Sequence, residues 1–423
     1  MYPSRPGLRL GLAGVVSVPF SFTSEWPTTG VVEEHGDHPL ADRPVPHDGQ
    51  GRTWSSLTRL LEVLCALEGS DLHIKGDAPH AVRIDGQLHN LDNEPPIGAD
   101  DLLALATSIM APSIRAVFAQ THEADFAYAA DGLGRFRINA FFQHGSVALA
   151  IRRLPPSIPS IEELGLPHVV RRLAEEQRGL ILVTGPTGCG KTTSLAAMIN
   201  HINETRACHI VTVEDPVEYL HDDKRARIEQ REVGFDTATF TSAMRVVLRQ
   251  DPDVILVGEM RDPETVSAAL TAAETGHLVL STLHTTTAPE SINRIIDFFP
   301  PHKHQQVRAS LASALRGTIG QRLVPRAAGR GRVPAVEVMV ANGRIQQAIL
   351  DPRLTSGLLQ LIAEGEYDGM QTFDQALARL VSQGEIGLRE AMIAASNPHD
   401  LKVLLERIGV IPTGRPLAPT FAP

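Results

Sequence analysis

The chain has 423 residues, of which 43% are hydrophobic and 21% are charged, a composition typical of globular proteins with two or three domains. Its formal net charge of −10 at pH 7 argues against a protein that binds nucleic acid through bulk electrostatics. The three cysteines form no Cys-x-x-Cys pair, which excludes a four-cysteine zinc site, and no apolar run is long enough to predict a transmembrane helix.

The first part of the chain divides into an irregular extension and a small mixed domain. Residues 1–52 are rich in proline, glycine, histidine and acidic residues without periodicity, which predicts a disordered extension. Helical spacing of leucines begins at Leu57, and a second helical stretch lies near 99–110. Strand-like runs occur at Asp71–Ile74, Ala81–Ile84 and Gly134–Asn139. These patterns predict a small α+β domain over residues 53–153.

The second part alternates strand-like and helix-like patterns. A proline-containing linker is predicted over residues 154–178. Buried strands are predicted at Leu180–Thr184, His209–Val213, Val254–Val257 and Leu278–Thr282, with helices near 191–202, 240–249 and 263–274. This alternation predicts an α/β domain with a mainly parallel sheet over residues 179–350. Helices are expected over 351–411, followed by a disordered tail over 412–423.

The segment from Gly185 to Thr192 matches the P-loop pattern G-x-x-x-x-G-K-[ST], between a predicted strand and a predicted helix. Its glycines let the backbone amides turn inward toward an anion. Lys191 would neutralise the β- and γ-phosphates, and the Thr192 hydroxyl would ligate Mg²⁺. ATP and Mg²⁺ are therefore the predicted ligands. The predicted nucleotide-binding residues are Gly185, Pro186, Thr187, Gly188, Cys189, Gly190, Lys191, Thr192 and Thr193.

Cys189, within this loop, has two interpretations that the sequence leaves open. It is either a small side chain that fits a tight turn, or a thiol whose pKa is lowered by the adjacent helix N-terminus.

Polar side chains follow three of the predicted parallel strands. Glu214 and Glu218 follow the second strand, Glu259 follows the third, and His284 follows the fourth. Because ligands bind beyond the carboxyl ends of parallel strands, these side chains should meet at the edge that carries the P-loop. Asp253 begins its strand and should lie about 20 Å from that edge.

The chemistry of these residues suggests their roles. Glu259 is the predicted Mg²⁺-side ligand, acting through water, in a strand that otherwise resembles a Walker B segment. Either Glu214 or Glu218 would polarise the attacking water, and His284 could sense the γ-phosphate. His277 lies near the start of its strand, where a structural hydrogen bond is the simpler interpretation.

Several longer motifs resemble those of one protein family. Val213–Glu218 resembles the Asp box of secretion ATPases, and Asp251–Asp262 resembles their Walker B region. Two segments, Ala272–His277 and Ser281–Thr285, resemble their His box. Gln230-Arg-Glu-Val-Gly234, Gly134–Phe141 and Gly369–Asp374 add further matches. From about Leu57 to about Leu405 the chain resembles PilT-type ATPases of type IV pili, the motors of twitching motility.

The resemblance implies a hexameric ring in which each subunit joins a PAS-like N-terminal domain to a RecA-like ATPase domain. It implies that Glu218, the second Asp-box glutamate, is catalytic. It also implies that Arg137 and Arg152 of the N-terminal domain cover the nucleotide phosphates. The implied partners are other copies of the chain, an inner-membrane platform protein of the pilus and other pilus ATPases, on the cytoplasmic face of the membrane without insertion into it.

Two departures bear on the role in the pilus. The segment Leu354–Glu364 does not preserve the Ala-Ile-Arg-Asn-Leu-Ile-Arg-Glu motif that the family associates with retraction, and it is closer to PilU-like accessory paralogues. The chain also lacks the paired Cys-x-x-Cys insertion that is usual in the assembly ATPases. The resemblance to PilT-type ATPases predicts retraction as the role, and the altered segment keeps an accessory or assembly motor as the alternative.

Two further alternatives remain. A RecA-like nucleic-acid motor receives slight support from one basic run, which contains Arg322, Arg326, Arg330 and Arg332. An inactive paralogue that only binds in a mixed ring is disfavoured, because the P-loop lysine and the strand-end glutamates are all present.

Overall fold

A computed structural model describes residues 52–412, with the exception of residues 85, 155, 156 and 330. The disorder predicted for 1–52 and 412–423 falls almost entirely outside these residues. The described chain contains two β-sheets, one of six strands and one of seven. Within the described residues, no helix is long and apolar enough to cross a membrane.

The six-stranded sheet is antiparallel and has the order β3-β2-β1-β6-β5-β4. Leu57, Leu61 and Leu64 share one face of the first helix and are fully buried against the sheet, which explains the helical spacing seen in the sequence. The strands are β1 (Asp71–Lys75), β2 (Ala81–Ile84), β3 (Gln87–Asn90), β4 (Glu123–Ala130), β5 (Gly134–Gln143) and β6 (Ser146–Arg153). The helices are α1 (Arg52–Ala66), α2 (Ala99–Ser108) and α3 (Pro112–Thr121).

The seven-stranded sheet has the order β13-β12-β7-β11-β10-β8-β9, and every neighbouring pair is parallel except β12 with β13. The strands are β7 (Gly179–Thr184), β8 (His209–Glu214), β9 (Arg227–Glu232), β10 (Val254–Val257), β11 (Leu278–Leu283), β12 (Leu315–Pro325) and β13 (Arg332–Val340). The four strands predicted from apolar runs are confirmed as β7, β8, β10 and β11. The other three were not predicted.

Helices cover both faces of this sheet. They are α4 (His168–Ala174), α5 (Lys191–Thr205), α6 (Phe240–Val247), α7 (Pro263–Glu274), α8 (Ala288–Asp297), α9 (His304–Ala314) and α10 (Gly343–Leu350). The three helices predicted in this region are confirmed as α5, α6 and α7. Helix α4 lies in the segment predicted as a linker, and its Val169, Val170 and Leu173 are buried in the same core as strand β7.

The C-terminal segment is helical, as predicted. Its α-helices are α11 (Leu358–Ala363), α12 (Phe373–Ser382), α13 (Leu388–Ala394) and α14 (Pro398–Arg407). Phe373, Leu377 and Leu401 are buried together with Val324 and Val333 of the β12–β13 pair. These helices thus pack against β12 and β13, at the edge of the sheet that β13 forms.

Candidate active site

The P-loop connects β7 to α5 as the sequence predicts. All of β7 is buried, and α5 begins at Lys191 immediately after the loop. A Cβ at Gly185 would lie 2.5 Å from the Gln321 carbonyl oxygen and 2.6 Å from Cys189 Sγ, and the φ angle of Gly185 is +141°. Only glycine fits there. Gly188 and Gly190 also have positive φ, with open space beside them.

Lys191 is folded back into its own loop. Its amine donates hydrogen bonds to the Gly185 carbonyl oxygen at 2.8 Å and to the Pro186 carbonyl oxygen at 3.1 Å. The side chain is buried, and burial lowers the pKa of Lys191, an effect that Cys189, Glu259 and nearby Glu218 oppose. The amine therefore stands at the centre of the loop, where a phosphate can replace the two carbonyl contacts.

Cys189 is buried, and burial raises the pKa of its thiol, although Lys191 and backbone amides favour the thiolate. The interpretation of Cys189 as a thiol with a lowered pKa is therefore wrong, and the interpretation as a small packing side chain agrees with its contact with Gly185. Of the nine predicted nucleotide-binding residues, Gly185, Pro186 and Cys189 do not line the open cleft beside the loop, whereas the other six do.

This cleft has a volume of about 480 Å³ and is the place where the predicted site residues meet. Strands β11, β10 and β8 follow one another from β7 across the sheet, so their carboxyl ends lie in one row beside the P-loop. The predicted catalytic and metal-binding residues that line the cleft are Arg137, Arg152, Lys191, Thr192, Glu218, Glu259 and His284.

Glu259 is held between two side chains at the end of β10. Its carboxylate forms an ion pair with Arg261 at 2.5 Å, and its other oxygen lies 3.4 Å from His284 Nε2. Its side chain is 12% exposed, whereas that of His284 is 54% exposed. The strand end behind it is fixed by Thr282 Oγ1, which donates to the Gly258 carbonyl oxygen at 2.7 Å.

The oxygen atoms in this cleft fit Mg²⁺. The Thr192 hydroxyl and the Glu259 carboxylate are hard oxygen donors in the same cleft. Mg²⁺ typically uses one or two protein ligands and completes its shell with phosphate oxygens and water. The residues present therefore suit a magnesium–nucleotide complex.

The two Asp-box glutamates have different environments. Glu214 is buried, and its Oε1 accepts hydrogen bonds from Thr212 Oγ1 at 2.7 Å and Gln230 Nε2 at 3.3 Å. Burial raises the pKa of Glu214 to about 7, although these hydrogen bonds oppose the shift. Glu218 is half-buried, and its carboxylate makes no hydrogen bond or ion pair with any other described residue. Glu218 is thus the carboxylate that remains available to a water molecule.

Asp253 and His277 lie at the opposite edge of the sheet, as expected. Asp253 Oδ2 accepts a hydrogen bond from the His209 amide at 2.9 Å, where β8 begins. His277 Nδ1 lies 2.9 Å from the Ala272 carbonyl oxygen, which agrees with a structural hydrogen bond. Neither side chain lines the cleft.

Arg137 and Arg152 are brought to the cleft by the six-stranded sheet. They are directly opposite each other on β5 and β6, a placement that is unfavourable for two like charges. Asp125 pairs with Arg137 at 2.5 Å, and Asp71 pairs with Arg152 at 2.8 Å. Each arginine thus has a carboxylate partner in its own sheet.

The basic run does not form one basic surface. The Arg322 guanidinium lies 3.9 Å from the centre of the Phe373 ring and donates to the Ala394 carbonyl oxygen, and Arg326 pairs with Glu385. Arg330 lies outside the described residues. Arg332 begins β13 and lines the cleft. This location could not be predicted from local sequence, because it depends on the pairing of β13 with β12 and of β12 with β7. The slight support for a nucleic-acid motor is therefore lost.

Comparison with known proteins agrees with this geometry. Residues 134–349 match the type II/IV secretion system protein family. The type IV pilus retraction ATPase PilT of Pseudomonas aeruginosa is 42% identical over 344 residues, which cover 81% of this chain and 99% of that protein. The chain belongs to this family.

Two further similarities place this secretion ATPase within the family. The pilus ATPase PilU of Pseudomonas aeruginosa is 39% identical over 348 residues, covering 82% of this chain and 91% of that protein. The crystal structure of the pilus retraction motor PilT with bound ADP is 46% identical with a TM-score of 0.77, covering 82% of this chain and 99% of that one. The chain is a PilT-type ATPase that binds and hydrolyses a nucleotide.

Proposed function

We propose that this PilT-type ATPase is a Mg²⁺-dependent homohexameric motor of type IV pili that acts in pilus retraction. The observation that carries the proposal is the single cleft that joins the P-loop, the strand-end acids of the second sheet and two arginines of the first. The similarity to PilT supports retraction as the use of the hydrolysis.

The chemistry assigns one role to each residue. Glu218 accepts a proton from the water that attacks the γ-phosphorus, while the bond from that phosphorus to the bridging oxygen of ADP breaks. Lys191, Arg137 and Arg152 offset the negative charge on the phosphate oxygens. Thr192 and, through water, Glu259 would hold Mg²⁺, which would supply further charge neutralisation. His284, beside Glu259, senses the γ-phosphate.

The motor action needs the two parts of the cleft to move relative to each other. We assign the arginines to an N-terminal domain over 53–153 and the P-loop to an ATPase domain over 179–350, joined by residues 154–178, with helices over 351–411. Loss of the γ-phosphate removes the ligand that the arginines and the P-loop share. The resulting rotation between domains would act on a pilus platform protein at the cytoplasmic face of the inner membrane.

The site assignment is tested by turnover of purified variants. Lys191→Ala should abolish ATP hydrolysis and weaken nucleotide binding, and Glu218→Gln should lower kcat by about 100-fold or more while ATP still binds. Glu229→Gln changes an exposed carboxylate outside the cleft and serves as a control with unchanged turnover. Full turnover of Lys191→Ala would refute the assignment.

The cellular role is tested by deletion of the gene and imaging of surface filaments. Excess pili without twitching would support retraction, and bald cells would instead show an assembly motor. The altered segment Leu354–Glu364 favours an accessory, PilU-like motor as the second candidate. In that case the purified chain should hydrolyse ATP, but a strain that has it as its sole motor of this type should fail to retract pili.

A further inference from the structure

The loop that carries Glu218 connects β8 to β9, the strand at the edge of the seven-stranded sheet. The loop contains no helix or strand of its own between Glu214 and Arg227. A general base must be held close to its water, since a misplacement of about 1 Å can cost about 100-fold in rate. The loop has no secondary structure to hold Glu218, so contacts with neighbouring elements must keep it in position.

Strand β9 supplies contacts on both sides of Glu218. On the N-terminal side, the Val217 amide donates to Glu232 Oε2 at 3.1 Å. On the C-terminal side, Gln230 Nε2 donates to the Tyr219 carbonyl oxygen at 2.8 Å, and Gln230 Oε1 accepts from the His221 amide at 2.9 Å. One side-chain amide thus satisfies two backbone groups of the loop.

Gln230 also connects the loop to the rest of the site. Its Nε2 reaches Glu214 Oε1 at 3.3 Å, at the end of β8. On the other side of the loop, the Tyr219 hydroxyl donates to Thr193 Oγ1 of the P-loop helix at 3.0 Å. The backbone on either side of Glu218 is thus attached to β9, to β8 and to the P-loop helix, while the Glu218 carboxylate makes no hydrogen bond or ion pair with the described residues and lies near the charges of Lys191 and Arg137.

We propose that Gln230 is a positioning residue that holds Glu218 in place for catalysis, through the hydrogen bonds of its amide to the backbone at Tyr219 and His221. The proposal rests on the proposed role of Glu218 as the general base. Glu232 supports the same loop from its N-terminal side. Both side chains alternate along β9 with Glu229, whose carboxylate instead faces Arg227 and His209.

The two atoms of the amide have opposite roles, and this makes the proposal specific. A carboxylate at this position can accept from the His221 amide but cannot donate to the Tyr219 carbonyl oxygen or to Glu214. Gln230→Glu keeps nearly the same side-chain volume but loses the hydrogen bonds that the amide nitrogen donates to Tyr219 and Glu214. A residue that only fills space would tolerate this change.

The test is a double-mutant cycle on the full chain, with kcat, the KM for ATP and the dissociation constant of a fluorescent ATP analogue measured for each variant. Gln230→Ala and Gln230→Glu should each lower kcat by about 10-fold to 100-fold, with KM and nucleotide affinity changed less than about twofold. In the Glu218→Gln background, measured by single turnover at high enzyme concentration, Gln230→Ala should cause no further loss. Glu229→Ala, on the opposite face of β9, should leave all three quantities unchanged.

The cycle separates the two proposals. If Glu218→Gln alone retains turnover, the role of Glu218 is wrong and the role of Gln230 falls with it. If Glu218→Gln is inactive but Gln230→Ala causes the same fold-loss in both backgrounds, or changes only KM, the role of Gln230 alone is overturned. Should Gln230→Ala fail to fold, as judged by circular dichroism, Gln230→Glu carries the same cycle.

Discussion

Glu337 offers a test of the electrostatics of the ATPase core. It lies on β13, is 1% exposed, and accepts a hydrogen bond from the Ala288 amide at 2.8 Å, where α8 begins. Burial raises the pKa of Glu337 to about 7 from its ordinary value of 4.5, although the hydrogen bond from Ala288 and nearby Arg322 favour the charged form. We predict that Glu337→Gln becomes more stable relative to the native protein as the pH rises.

The direction and size of this change in stability follow from the difference in proton binding between the folded and unfolded states. Between pH 4.5 and about 7, the folded native protein keeps a proton on Glu337 that the unfolded chain has lost, so its free energy of unfolding falls as the pH rises. A shift of this size corresponds to about 3 kcal/mol over the whole range. Glutamine can still accept from the Ala288 amide but has no proton to lose, so the variant escapes this fall.

The assay is urea unfolding of both proteins, followed by circular dichroism at equal protein concentration between pH 5 and pH 8.5. The difference in the free energy of unfolding should grow in favour of the variant up to about pH 7 and then level off. Glu364→Gln is the control: the hydrogen bond from Arg344 lowers the pKa of exposed Glu364 below its ordinary value of 4.5, so its effect on stability changes only at lower pH and the difference for this variant should stay nearly constant across the range. A difference for Glu337→Gln that stays flat or declines between pH 5 and pH 7 would refute the reasoning.

Three other predictions concern the cleft. Gly185→Ala should destabilise the protein by about 2 kcal/mol or more and impair ATP binding, because its Cβ would overlap the Gln321 carbonyl oxygen. Gly188→Ala has open space beside it and should cost about 1 kcal/mol because of its positive φ. Thermal unfolding of both variants measures the difference. Arg332→Gln should raise the KM for ATP by about threefold without a change in kcat, since an exposed cation contributes to binding rather than to chemistry; steady-state kinetics measure both. Cys189 should react with a thiol reagent about tenfold or more slowly in the folded protein than in urea at the same pH, as followed by peptide mass spectrometry, and equal rates would contradict its burial.

The sequence predicted the parts of the fold that have a strong local pattern. Strands such as β7 and β10 are buried on both faces and appear as continuous apolar runs. Strand β9, in contrast, reads Arg-Ile-Glu-Gln-Arg-Glu, because it lies at the sheet edge and its side chains contact a polar loop or solvent. Strand β12 was not predicted because Gly317 and Gly320 interrupt its apolar pattern. Gly317 leaves room for Leu173, and Gly320 leaves room for Phe373.

The same distinction applies to the candidate site. The P-loop is a local motif, and the strand-end acids follow from the direction of parallel strands, so both could be placed from sequence. The carboxylate partners of the arginines could not, because Asp71 and Arg152 are 81 residues apart and meet only through the pairing of β1 with β6. From the sequence, Gln230 is only part of a motif, because its contacts with the loop depend on the position of β9 beside it.

The carboxylate partners of the two arginines also affect how ATP reaches the cleft. Five cations line the cleft: Lys191, Arg137, Arg152, Arg261 and Arg332. If the buried Glu214 is left out of the count, five carboxylates line the cleft or pair with these cations: Glu218, Glu259, Asp215, Asp71 and Asp125. Such a balanced set of charges produces little attraction beyond a Debye length of about 8 Å at physiological ionic strength. The association rate of ATP, measured by stopped flow, should therefore depend only weakly on salt, and selection for the nucleotide occurs after contact rather than during approach.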